Sequence, residues 1–291
     1  MKLSVITINR NNAVGLEKTL QSVAAQTFKE FEYIVVDGAS TDASVEVIKK
    51  HESEFVHFKW ISEPDKGIYN AMNKGIRMAS GEYIQVLNSA DCFAAPDVME
   101  RMLSALEKAG NPSILYGNMV KCFPDGRKLV DKCFAGQDIT MLGMYMGSLN
   151  HDPVYIHRDL FEKYGCYDEN LKIVSDWKWF FQAIILGGEK PKYVDLDVTL
   201  FDMTGISETN KDLDKAERKQ VLEKIVPEAI LKDYEQYAFP IDQMRRLKRH
   251  PWAYKLVWFI ERCLFKLEKL KQKKKIRVLY SNEILGHNTL I

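Results

Sequence analysis

Four short apolar runs, each followed by a stretch of helical periodicity, constrain this chain more than any other feature. The runs are "LSVITI" (3–8), "FEYIVVDG" (31–38), "VHFKWI" (56–61) and "GEYIQVLNSAD" (81–91). The first helix is predicted over 15–26, where Leu16, Leu20, Val23 and Ala24 share one side. Others follow in "ASTDASVEVIKKH" (39–51), where Ser40 or Thr41 can cap, then near 67–79 and at 96–109. Near-continuous apolar strands alternating with amphipathic helices require a mostly parallel sheet covered on both faces, an α/β fold. In such sheets ligands bind outside the carboxyl ends of the strands. Asp37 ends the second run and Asp91 the fourth, so both acids belong on that rim.

Beyond residue 110 the signals are of other kinds. "ILYGNMVKCFPDGRKLV" (114–130) reads as a hairpin turning at Pro124, Asp125 and Gly126, and helices are predicted at 158–164, 176–187 and 212–236. With 291 residues, 46% of them hydrophobic and 28% charged, the chain has material for a sizeable core. The expected division is a domain over 1–210 and a helical extension over 211–291. The five cysteines, Cys92, Cys122, Cys133, Cys166 and Cys263, form no C-x-x-C pair, which fits reduced thiols of a cytoplasmic protein. The N-terminal "MKLSVITINR" is too short an apolar run for a signal peptide and reads as a strand.

The loop after the first strand, "NRNNAVG", is neither G-x-G-x-x-G nor a P-loop, so phosphates are not cradled by glycines here. A polar loop, acids at strand ends and one divalent cation are another way to hold a nucleoside diphosphate. A second puzzle is "SEPDKGIYNAMNKGI" (62–76), where Pro64 and Gly67 break the chain before a helix whose Met72 and Ile76 share a face. That face leaves Tyr69, Asn70, Asn73 and Lys74 without a packing role.

In chain order, "SVITINRN", "VVDGASTDAS", "EPDKGIYNAMNKGI", "GEYIQVLNSAD" and "SDWKW" resemble the family 2 glycosyltransferases, inverting enzymes of the GT-A fold, over about residues 1–205. The resemblance implies a donor site formed by Thr7, Asn9, Asp37, Asp42, Asp65, Lys66, Gly67, Asn70, Asn73 and Ser89, with residues 63–76 walling the donor sugar. It implies that Asp91 is the last acid of a D-x-D-like site for Mn²⁺ or Mg²⁺. Ser89 stands where that pattern has its first acid, but a hard cation can be held by one carboxylate with substrate phosphates and waters. Asp176 matches the catalytic carboxylate that takes the acceptor hydroxyl's proton. His151, followed by Asp152 where the family often has Gln, matches a diphosphate or acceptor contact, and Trp177 helps to wall off the acceptor. "MTGISET" (203–209) resembles the loop that follows the catalytic domain. Short polar residues at strand ends also serve plain turns and caps, a role open to each of these Asp, Asn and Ser positions.

The net charge of +1 conceals a basic tail. Between Arg245 and Arg277 thirteen Lys/Arg face only Glu261 and Glu268, so the remainder of the chain is acidic. Within it "WAYKLVWFIERCLFKL" (252–267) is too short and too charged to span a bilayer, but its aromatic and basic residues suit an anionic membrane surface. A helix packed on the body or on a second subunit is the plainer alternative. No nucleic-acid motif accompanies the charge. The expected activity is transfer of a sugar from a nucleotide-diphosphate donor, UDP-sugar favoured, to a saccharide or lipid-linked saccharide at the inner face of a bacterial membrane, in surface polysaccharide assembly. A non-catalytic nucleotide-sugar-binding scaffold and a sugar nucleotidyltransferase are the alternatives.

Overall fold

A computed structural model describes residues 1–204 and 210–286, with side chains up to 272. The strands are β1 (Leu3–Asn9), β2 (Glu32–Asp37), β3 (His57–Ser62), β4 (Tyr83–Val86), β5 (Cys92–Phe93), β6 (Ile114–Cys122), β7 (Lys128–Asp131), β8 (Val154–His157) and β9 (Lys192–Asp202). The helices are α1 (Ala13–Ala24), α2 (Ser44–His51), α3 (Ile68–Met78), α4 (Val98–Lys108), α5 (Met141–Met146), α6 (Asp159–Tyr164), α7 (Ser175–Phe180), α8 (Lys211–Ile225), α9 (Glu228–Lys248) and α10 (Pro251–Gly286).

The strands form a single sheet in the order β3-β2-β1-β4-β8-β6-β9-β5, with β7 paired to β6. The first four are parallel, as the βαβα pattern requires. The second half mixes directions: β8 runs antiparallel to β4 and β6, β5 antiparallel to β9, and β6 parallel to β9. The parallel expectation thus holds for the first four strands, which helical crossovers join in sequence, and gives way to mixed directions in the strands that follow. The hairpin forms as expected, with Gly126 at φ 86° in its turn.

Alternate residues of the central strands feed two cores. Leu3, Val5, Tyr33 and Val35 pack with Leu16, Leu20, Met99 and Met102 of α1 and α4 on one face. Ile6, Ile8, Ile34 and Val36 pack with Met72, Ile76, Trp177 and Phe180 of α3 and α7 on the other. Burial on both faces explains why the strands read as continuous apolar runs. Gly75 lets α3 lie close on β1, since a Cβ there would stand 2.4 Å from Ile6 Cγ2.

The helix expected over 212–236 is two. Val226 is extended (φ −111°, ψ 131°) because the following Pro227 disfavours a helical conformation before it. The helix expected over 176–187 ends α7 at Phe180 and continues as a π-helical turn, Phe181–Leu186. One compact unit runs from Met1 to Leu231 and includes α8; a second begins at Lys232. In the second, Trp252, Leu256, Trp258, Phe259, Leu264 and Phe265 are all exposed, and the Arg262 guanidinium and Lys269 ammonium lie 4.5 and 4.9 Å from the rings of Trp258 and Phe265. Among the described residues no helix is long and apolar enough to cross a membrane.

Candidate functional site

A cavity of about 760 Å³ opens at the carboxyl ends of β1, β4 and β9, closed by the start of α3, the loop before β8, the start of α7 and one side of α8. Its lining brings together eight of the sequence-predicted residues: Asn9, Asp65, Gly67, Ser89, Asp91, His151, Asp176 and Trp177.

The entry to α3 is shaped by its broken sequence. Gly67 adopts φ 129°, a backbone region that side chains rarely tolerate, and its N–H donates to Asp65 Oδ1 at 3.0 Å. Arg10 adds an ion pair to Asp65 at 3.6 Å. The polar face of α3 acquires its explanation here. Asn73 exchanges hydrogen bonds with the backbone of Tyr167 and donates to Glu169 at 2.9 Å, while Asn70 donates to Glu169 at 2.7 Å. Lys74 reaches the Pro64 carbonyl and Glu63. Asn70 and Asn73, expected as donor contacts, therefore fasten α3 to residues 167–169 and are not among the residues that line the cavity.

Four other expected donor contacts also lie off the lining. The Thr7 hydroxyl is buried 3.0 Å from that of Tyr33, within the sheet layer. Asp37 accepts from Ser40 N–H, Ser40 and Ser62 hydroxyls and the Asn9 amide, which fix the loop after β2. Burial opposes ionisation of Asp37, yet these donors hold its carboxyl below the usual range. Asp42 is a loop brace whose oxygens accept from Ser44 and from the N–H of Ala13. Lys66 is exposed, and its N–H donates to Asn70 Oδ1. Thr7, Asp37 and Asp42 thus spend their hydrogen bonds mainly on their own loops and neighbouring strands.

A buried polar cluster surrounds Asp176. Its Oδ1 lies 2.9 Å from the Tyr69 hydroxyl, and its Oδ2 3.2 Å from His151 Nδ1. Tyr69 also lies 2.5 Å from the Ile173 carbonyl, so its single proton serves one acceptor at a time. His151 Nε2 lies 2.9 Å from Asp152 Oδ1. Burial works against a charged His151, but Asp152 and Asp176 on either side raise its pKa well above the ordinary value. Burial likewise works against an ionised Asp176, and His151 with Tyr69 more than offsets it, so this carboxyl titrates below its usual range. An ionised carboxylate with 17% of its side chain exposed to a cavity is able to accept a proton. Trp177, beside it, donates its indole N–H to the Met144 carbonyl at 2.8 Å.

Asp91 has the opposite character. One oxygen accepts the Asp202 N–H at 2.9 Å, and burial followed by the negative charge of Asp152 raises its pKa well above normal. A cation would favour the ionised form. Among the described residues no three His, Cys, Asp or Glu side chains form a metal cluster. The donor set, one buried carboxylate and the Ser89 hydroxyl lining the same open cavity, suits a hard cation that keeps waters and takes further ligands from a diphosphate.

Sequence reasoning gave no role to Asp202, Glu217 or Arg218, which come from elements whose contacts with the site are distant in sequence. Residues 205–209 of the expected closing loop lie outside the described residues.

The description "Glycosyl transferase family 2" matches residues 4–148. An uncharacterized glycosyltransferase of Mycobacterium tuberculosis is 34% identical over 70% of this chain and 76% of its own length. A PGL/p-HBAD biosynthesis glycosyltransferase of Mycobacterium bovis is 24% identical over 72% of this chain and 80% of its own. Two solved structures share the fold. TarS of S. aureus in complex with UDP superposes with TM-score 0.59 at 21% identity, over 69% of this chain and 60% of that one. The mannosyltransferase PcManGT of Pyrobaculum calidifontis, in complex with GDP-Man and Mn²⁺, gives TM-score 0.60 at 15% identity over 99% and 88%.

Proposed function

The chain belongs to glycosyltransferase family 2, and from that premise we propose that it moves one sugar from a nucleoside diphosphate donor, UDP-sugar favoured, to a saccharide hydroxyl with inversion. The observation that carries this reading is Asp176, held between His151 and Tyr69, facing the same cavity as Asp91. Asp176 takes the proton of the acceptor hydroxyl as its oxygen bonds to the sugar's anomeric carbon. The bond from that carbon to the phosphate oxygen breaks, and its electron pair leaves with the diphosphate. His151 and Tyr69 hold the carboxylate in position, and Trp177 supports the wall beside it. Asp91, with Ser89 next to it, would hold Mn²⁺ or Mg²⁺, which supplies positive charge for the departing diphosphate. The relative in complex with GDP-Man and Mn²⁺ supports the choice of cation.

The exposed aromatic and basic surface of the second unit supports docking on anionic lipid at the cytoplasmic face, where a lipid-linked acceptor would be met. Surface polysaccharide assembly is the proposed setting, in keeping with the relative named for PGL/p-HBAD biosynthesis. The test is a thermal-shift panel of UDP, GDP, dTDP and CMP with and without Mn²⁺, on wild type and Asp91→Ala, followed by diphosphate release from the matching sugar nucleotide. A ligand at a hundred times its Kd adds about 2.7 kcal/mol. Stabilisation by one diphosphate, dependent on Mn²⁺ and on Asp91, is the expected outcome. Binding without turnover on any acceptor would favour the non-catalytic scaffold instead, and no binding would remove the donor altogether.

A further inference from the structure

The segment that carries Asp176 is gripped from outside the residues matched to the family. Glu217, on α8, is 7% exposed, and its carboxylate accepts three consecutive backbone N–H groups: Lys172 at 2.8 Å, Ile173 at 3.0 Å and Val174 at 3.3 Å. These amides lead directly into α7, and no strand or helix of their own would satisfy them. On the opposite side, the Ile173 carbonyl takes the Tyr69 hydroxyl, the same hydroxyl that reaches Asp176. Ile173 is therefore fixed from α8 through its N–H and from α3 through its C=O, three residues ahead of the carboxylate. The neighbouring Arg218 reinforces this contact of α8, stacking 4.6 Å from the Trp177 ring and donating to the Gly147 carbonyl at 2.9 Å.

We propose that Glu217 is a positioning residue for the base, holding residues 172–174 so that the Asp176 carboxylate meets the acceptor hydroxyl in a reactive geometry. The inference rests on the reading of Asp176 as the base. It is chemically specific, because three N–H donors converging on one site require an acceptor with several lone pairs, which a carboxylate supplies and an apolar side chain does not. Small displacements of a reacting group carry large rate penalties, so the expected effect is on turnover and not on donor affinity.

The experiment compares Glu217→Ala, Glu217→Gln and Leu222→Ala in the full chain. Leu222 is a buried apolar residue of the same helix and shares a core cluster with Ile173 and Val174, so its truncation loosens α8 while leaving the Glu217 carboxylate and its three N–H donors in place. Three quantities are read: backbone hydrogen exchange over 170–178, UDP affinity with Mn²⁺ by calorimetry, and diphosphate release from UDP-GlcNAc and GDP-Man. For Glu217→Ala the expectation is exchange at Lys172, Ile173 and Val174 at least tenfold faster, UDP affinity within twofold of wild type, and turnover down at least tenfold. Glu217→Gln, which keeps one acceptor oxygen, falls between. Leu222→Ala lowers the melting temperature but leaves both local exchange and turnover near wild type. Unchanged exchange at the three amides overturns the proposal, as does faster exchange with turnover no lower than in Leu222→Ala. A wild type that releases no diphosphate from any donor defeats the transferase reading instead, while the exchange measurement still decides what Glu217 holds.

Discussion

Asp91 and Asp176 face the same cavity and carry opposite electrostatics. Asp176 sits between an imidazole and a phenol, partners that stabilise its anion; Asp91 sits beside another carboxylate and accepts the backbone N–H of Asp202. Two identical side chains, both largely withdrawn from water, are thereby biased in opposite directions, Asp176 toward its anion and Asp91 toward its neutral form. Residue type fixes the chemistry available, and the neighbours fix the charge state.

The sharpest way to break this comparison is to remove the anion. Asp176→Asn should lower sugar transfer by about 10³-fold, within the range typical of a lost general base. UDP affinity measured by calorimetry should stay within a few-fold of wild type. An equal loss of affinity would move Asp176 from proton transfer to donor binding.

Next in size is the removal of the cation-seeking carboxyl. Asp91→Asn should abolish the Mn²⁺-dependent part of the stabilisation by UDP, about 2.7 kcal/mol at a hundred-fold excess over Kd. The sign reverses without ligand. Because the folded-state pKa of Asp91 is raised, its ionisation costs stability as pH rises through that value. The ligand-free Asn variant should therefore lose less stability than wild type in denaturation curves recorded on the alkaline side.

A smaller effect separates the partners of Asp176. His151→Gln should reduce turnover by about tenfold, at the lower end of acid–base contributions, and move the acid limb of the pH–rate profile upward, because the positive charge that depresses Asp176 is gone. The linkage in wild type runs the other way for the ring. With its folded pKa raised, the stabilisation contributed by His151 is complete below its ordinary value and is lost as pH climbs through the raised one. An acid limb that stays in place in His151→Gln would assign the low Asp176 pKa to other donors.

The smallest expected effect lies in the second unit. Arg262→Gln with Lys269→Gln should weaken partition to vesicles containing phosphatidylserine by about 1 kcal/mol per charge and leave binding to neutral vesicles unaltered. Equal partition of wild type and variant on both vesicles would remove the lipid-surface role.

Much of the fold was legible because its signals are local. Strand β1 and helix α1 announce themselves within a few residues of apolar spacing, and the βαβα order alone requires parallel pairing. The strands β5 and β8 carry no comparable signal: β5 has two residues and β8 four, and each is held by partners far along the chain. The split of α8 from α9 is marked in the sequence by Pro227 alone, while the helical periodicity continues across it. At the site, the acids were legible as residue types at strand and helix ends. Asn70 and Asn73 show the limit, since short polar residues beside a binding loop serve as structural clasps just as readily as ligands.

The sequence by itself determined the family through the motifs it shares with it, and the α/β class and the position of the rim through hydrophobic periodicity and polar strand ends, all of them properties of consecutive residues. Only the tertiary structure decided which acid is ionised and what holds it. Tyr69 meets Asp176 across 107 positions and Glu217 meets Ile173 across 44. Distance in space and burial, which set the energy of a charge, have no counterpart in the order of the chain.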